Sequence, residues 1–153
     1  MTQHGPRRAF SLIEVLIVVA IMAILAATLV PRLSSTADDA REAGLLHNWS
    51  VFKSQLQMYA ADHSGLLPTL QDEGLPQMLR ATDHRGRMGD SGPDYPLGPY
   101  FLESPVNPYD GSHRIVSVTT LGKQPTAVVG SKGGWQYDSS TGTVWPNHPE
   151  WYK

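Results

Sequence analysis

The chain has 153 residues, no cysteine, 12 basic and 14 acidic side chains, and a formal net charge of −2. That composition excludes disulfides, thiolate metal sites and a cysteine nucleophile, and it lacks the basic footprint of a nucleic-acid-binding protein. Setting aside about thirty amino-terminal residues of leader and apolar segment leaves roughly 120 for one modest domain.

Arg7 and Arg8 precede Ala9, and the 21 residues from Phe10 to Val30 carry one charge, Glu14, before Pro31. As a helix this run spans roughly 31 Å, about the thickness of a bilayer's hydrocarbon core. A secretory signal peptide would end its apolar core at a small-residue site, which Ala26-Ala27-Thr28 mimics. A plain signal anchor would span with Arg7 and Arg8 kept in the cytoplasm. Neither accounts for the carboxylate, which costs about 2.5–3.5 kcal/mol at mid-membrane and less near the edge, and which needs a partner. A cut between Ala9 and Phe10 would create an α-amino group four residues before Glu14. That amine is a partner one helical turn away in the same chain. In a neighbouring subunit it would set the stagger of packed helices.

On these residues the resemblance to a family becomes specific. Ala9-Phe10-Ser11-Leu12-Ile13-Glu14-Val15 resembles the type IV prepilin signal shared by type IV pilins and type II secretion pseudopilins. The resemblance implies cleavage at Ala9-Phe10 by a prepilin peptidase, N-methylation of Phe10, and an assembly role for Glu14. It also implies that Pro31 kinks or loosens the helix. Ala9 departs from the usual glycine at the cleavage position, but it is small. The implied partners are the peptidase, copies of the chain and other pseudopilins or pilins, an inner-membrane assembly platform and the membrane itself.

Past Pro31 the sequence turns polar, and Ser34 or Ser35 would cap a new helix if the proline broke the first. Leu45, Trp49, Phe52, Leu56 and Tyr59 then recur at helical spacing, one apolar stripe suited to covering a sheet. Gly44 weakens this helix by about 1 kcal/mol relative to alanine without ending it; Ser64-Gly65 ends it, with Pro68 beyond. A near-continuous helix from Phe10 to about His63 would be roughly 80 Å long. From Gly65 to Gly111, proline and glycine predict loops with one short helix near Leu75–Ala81 and a mobile run from Asp83 to Asp90. The stretch from His113 to Thr120 reads as a strand and Thr126–Val129 as a second, short one. Gly134–Tyr137 and Thr143–Trp145 flank Asp138-Ser139-Ser140-Thr141-Gly142, the clearest hairpin signal. The tail from Pro146 is expected to fold back through Trp151 and Tyr152.

The order gives an α+β fold that resembles the pilin fold: a long amino-terminal transmembrane helix packed by its second half on a small carboxy-terminal antiparallel sheet. Its expected parts are a leader (1–9), a transmembrane and filament-core helix (10–31), an amphipathic continuation (32–64) and a loop-rich globular domain (65–153). Tyr59-(x)2-Asp62-(x)2-Gly65-(x)2-Pro68 is similar to the helix exit of the major pseudopilins.

No catalytic constellation emerges, and the chain is not expected to be an enzyme. His4, His47, His63, His84, His113 and His148 have no zinc-ligand spacing, and neither a Gly-x-Ser-x-Gly elbow nor a phosphate-cradling glycine loop occurs. The resemblance raises calcium, which major pseudopilins hold in a carboxy-terminal loop. Asp90, Asp94, Asp110 and Asp138 offer the right hard oxygens, but they are dispersed. Asp110-Gly111 and Asp138 with Gly142 fit turn geometry equally well, so no metal is assigned. The expected function is a structural subunit of a type II secretion pseudopilus or type IV pilus-like filament. It waits in the inner membrane as a precursor, short leader in the cytoplasm and domain outside. The small cysteine-free domain and the helix exit favour the pseudopilin. The alternative is an uncleaved, signal-anchored extracytoplasmic binding domain, for which Glu14 has no special role.

Overall fold

The computed structural model describes the backbone of residues 11–131 and 133–152, and their side chains outside 28–35. The expected cleavage and methylation positions, Ala9 and Phe10, lie outside the described residues. The chain divides into two compact units, Met1–Ala40 and Arg41–Lys153. Helix α1, Leu12–Asp62, contributes to both. It is unbroken at Pro31, so no new helix starts at Ser34 or Ser35. Among the described residues no helix is long and apolar enough to cross a membrane. The described side chains of the apolar run end at Ala27, short of the expected window's end at Val30.

In the second unit the predicted stripe is the core. Leu45, Phe52, Leu56 and Tyr59 are buried, and Trp49 packs beside them. Full burial of such side chains is worth about 1.5–3 kcal/mol each. Phe52 meets Trp135 and Phe101 edge to face, at centroid distances of 5.6 and 5.3 Å. Helix α1 ends as its sequence demands: Ser64 and Gly65 take φ of 55° and 88°. The Gly65 amide then donates back to the Ala60 carbonyl at 2.7 Å, which closes the helix with a left-handed cap.

The loop-rich middle holds helix α2, Pro76–Leu79, at the predicted place. The run expected to be mobile is instead a small antiparallel hairpin, β1 (Ala81–Thr82) with β2 (Met88–Gly89). The reason is Asp83. Its carboxylate accepts the amides of Arg85 and Arg87, each at 2.9 Å, and the Arg87 guanidinium at 2.7 Å. One side chain thus closes the turn that glycine and charge content alone left open.

The second sheet runs β3 (Ile115–Ser117), β4 (Trp135–Asp138), β5 (Thr143–Pro146). The β4–β5 hairpin is as expected, although Asp138 itself pairs with Thr143. The sheet is mixed rather than wholly antiparallel, because β3 pairs in parallel with β4, Ile115 beside Trp135. A parallel neighbour needs a long crossover, and residues 118–134 supply it. Within that crossover Thr126–Val129 forms no strand, and the strand expected over His113–Thr120 is confined to three residues. The outer edge of β5 is closed by side chains. The Trp49 indole donates to the Val144 carbonyl, Pro146 has no amide hydrogen, and Tyr152 of the terminal 3-10 helix (Pro149–Tyr152) donates to the Pro146 carbonyl at 2.8 Å. Such an edge cannot recruit a further strand easily.

Candidate functional site

Two surfaces carry the sequence's functional expectations: the amino-terminal part of α1 and the carboxy-terminal loops. On the first, every large apolar side chain from Leu12 to Leu25 is between 47 and 83 % exposed. The residues are consecutive, so at about 100° per residue they face all sides of the helix. A surface of this kind is covered by lipid, by other helices, or by both. Glu14 lies in the first turn of α1, exposed, with its amide bonded to the Ser11 carbonyl at 3.1 Å. Acidic groups are favourable at a helix start, where unpaired amides carry partial positive charge. Leu12, Val15, Leu16 and Val19 frame a shallow, almost wholly apolar groove on the helix surface next to Glu14.

The helix exit, the second sequence signature, is stitched into the domain by all four of its residues. Tyr59 is buried; Asp62 accepts a 2.9 Å hydrogen bond from the Tyr100 hydroxyl; Gly65 makes the cap; the Pro68 carbonyl accepts from Tyr137 at 2.9 Å. His63, inside this signature, is fully buried. One ring nitrogen lies 2.8 Å from the Tyr59 carbonyl and the other 3.0 Å from Thr82 Oγ1, with the ring stacked on Tyr59 at 3.8 Å. A carbonyl can only accept, so Nδ1 bears a hydrogen, and Nε2 shares a hydrogen bond with the Thr82 hydroxyl, which can either donate or accept. Burial and the nearby Asp83 carboxylate raise the Tyr59 hydroxyl above its usual value, favouring the neutral form in this packing.

The four loop aspartates do not come together. Asp90 and Asp94 are exposed. The Asp110 carboxylate accepts the amides of Ser112 and Gly134, at 2.8 and 3.0 Å. Asp138, fully buried, accepts the Ser140 amide and hydroxyl on Oδ1 at 2.8 and 2.6 Å, and the Gly122 amide on Oδ2 at 2.6 Å. Burial would raise the Asp138 carboxyl, but the donors from Ser140, Gly122 and Thr141 together outweigh it and hold it below its ordinary value of 3.8. Among the described residues no group of three or more histidine, aspartate or glutamate side chains is placed to hold a metal ion.

Sequence reasoning missed the buried polar residues beside Asp138. Gln136 Nε2 shares its two hydrogens among the Ala127 carbonyl, Asn147 Oδ1 and the Tyr152 hydroxyl, at 2.8, 3.0 and 2.9 Å, while its buried Oε1 has no partner among the described residues. Asn147 takes the Val129 amide and gives to the Val129 carbonyl, at 2.8 and 2.9 Å. Strand alternation would place Gln136 and Asp138 on the solvent side, opposite Trp135 and Tyr137. All four are buried, because the crossover covers the sheet's second face. A polar pair alternating with two aromatics was the available signal, and only a covering loop gives it meaning.

Residues 5–30 match the family described as the prokaryotic N-terminal methylation motif. A type II secretion system core protein G of Klebsiella michiganensis is 31 % identical over 111 residues, covering 72 % of this chain and 74 % of the relative. Proteins of the same name from Dickeya chrysanthemi and Vibrio cholerae are 27 % and 28 % identical over 136 and 134 residues. They cover 89 % and 87 % of this chain, and 85 % and 86 % of the relatives. No solved structure matches the chain.

Proposed function

Because the chain belongs to the type II secretion system core protein G family, we propose that it is a structural subunit of a type II secretion pseudopilus. In this reading it enters the inner membrane as a precursor, with Arg7 and Arg8 held in the cytoplasm by the positive-inside rule. Prepilin peptidase cuts between Ala9 and Phe10, the new Phe10 amine is methylated, and the mature subunit joins copies of itself and other pseudopilins on an inner-membrane platform. It works by packing, not by catalysis.

The observation that carries this reading is the surface of α1 from Leu12 to Leu25, apolar on every side around one carboxylate. In lipid the apolar side chains are already at ease, since acyl tails are as apolar as leucine. Glu14 is not, and a charge there calls for a partner. The Phe10 amine of an adjacent subunit supplies one, so each incoming subunit is registered on the last. Once a segment leaves the bilayer, only neighbouring helices keep its apolar surface from water. Pro31 would loosen the helix to let these surfaces adapt.

The test compares wild type with Glu14→Ala in cells carrying the secretion system. The variant is expected to insert in the membrane at wild-type levels, yet to lose at least tenfold of the cross-linked oligomers. Intact-mass analysis of the membrane-extracted wild type should find a chain starting at N-methylated Phe10. A chain retaining Met1 in cells with active prepilin peptidase would instead point to the signal-anchored binding domain, and a cut near Ala27 to a secreted protein.

A further inference from the structure

We infer that the crossover from β3 to β4, residues 118–134, closes without a divalent cation, its place taken by a clasp of side-chain amides and carboxylates. The observations run along the crossover in order. The Gly122 amide is held by Asp138 at 2.6 Å. The Ala127 carbonyl is taken by Gln136 at 2.8 Å. Val129 is gripped at both its amide and its carbonyl by Asn147. Gly134 gives its amide to Asp110 at 3.0 Å, and its carbonyl accepts the Asn107 side chain at 2.9 Å. Asn107, Gln136, Asp138 and Asn147 are buried.

The polarity of these contacts is what excludes a cation from the clasp. A calcium site needs six to eight oxygens whose lone pairs converge on one point. Here the crossover carbonyls at Ala127, Val129 and Gly134 already receive N–H hydrogens. The two carboxylates face amide donors, whose positive ends would repel a cation placed among them. A carboxylate meeting several N–H groups is satisfied as an anion in its own right. The backbone path requires the same arrangement. Gly134 has φ of 87°, and a Cβ there would run into the Arg114 carbonyl. Its carbonyl also accepts the Asn147 amide at 2.8 Å. Asn107, Asp110 and Asn147 therefore fix the crossover's end from three directions. The clasp concerns this chain's folding and stands whether or not the proposed assembly role does.

The test uses the full chain in detergent micelles. Its thermal unfolding is followed by near-ultraviolet circular dichroism, once with excess EGTA and once with millimolar calcium chloride. The expected melting temperatures agree within about 1 °C, and calorimetric titration with calcium shows no uptake. Asp138→Asn, which replaces one carboxylate oxygen by a donor facing the Gly122 or Ser140 amide, is expected to lower the melting temperature by several degrees, equally in both media. A rise of several degrees with calcium, or stoichiometric uptake, overturns the inference. So does an Asp138→Asn chain that melts like wild type. Should the variant fail to fold, the wild-type titration decides alone.

Discussion

Two stretches of one helix are built to opposite rules. From Leu12 to Leu25 the large apolar side chains of α1 are exposed all round it; from Leu45 to Tyr59 one stripe of them, Leu45, Phe52, Leu56 and Tyr59, is buried, while Leu46, Val51 and Met58 off that stripe are exposed. Both stretches satisfy their backbone hydrogen bonds internally, so the difference lies only in what covers the side chains. The second stretch finds its cover within the chain, in Phe101, Trp135 and Val144. The first has none among the described residues of its own unit, and its only charge, Glu14, has the same need. A substitution in one stretch should therefore register in assembly, and a substitution in the other in folding.

The largest separation is expected between Glu14→Ala and Phe52→Ala. The first should remove cross-linked oligomers while leaving the domain's unfolding midpoint where it was. The second removes a ring packed against Trp135 and Phe101, and should cost about 3–5 kcal/mol in chemical denaturation, a large part of the stability of an ordinary domain. If Glu14→Ala destabilised the domain comparably, the division of labour would be wrong.

A smaller effect is expected at His63, where the helix exit meets β1. His63→Leu keeps the bulk but leaves the Thr82 hydroxyl without its buried partner, while the Tyr59 carbonyl keeps the backbone amide of residue 63; the loss is about 1–3 kcal/mol. Denaturant unfolding of this variant beside Thr82→Val would show whether the two share one interaction, since their costs should then be less than additive.

The smallest is a pH effect at Asp138. Its folded carboxyl lies below the ordinary value of 3.8, so its contribution is complete at neutral pH. It is lost as the pH falls from that value through the lower folded one. Melting curves between pH 6 and pH 2 should show a destabilisation below about pH 4 that is shallower in Asp138→Asn. An unchanged slope in the variant would assign the acid sensitivity to other carboxylates, Asp83 first among them, since the hydrogen bonds and charge of Arg87 outweigh the cost of its burial and lower it too.

What could be read from sequence was what depends on neighbours close along the chain. The unbroken apolar run with Glu14, the stripe from Leu45 to Tyr59, the stop at Ser64-Gly65 and the β4–β5 hairpin all follow from periodicity, capping and turn chemistry within a few residues. The family itself was legible in the seven residues from Ala9 to Val15. Tertiary structure alone decided the parallel placement of β3 and the burial of Gln136, Asp138 and Asn147. Each is settled by segments distant in sequence: the crossover lies over the second face of β4, and the tail shuts the edge of β5. A polar side chain on a strand reads as solvent-facing until another segment covers it, and local periodicity carries no record of that segment. Once covered, its donors and acceptors are mostly paired within the protein, Gln136 Oε1 being the exception among the described residues, and in this fold that pairing is what shapes the crossover.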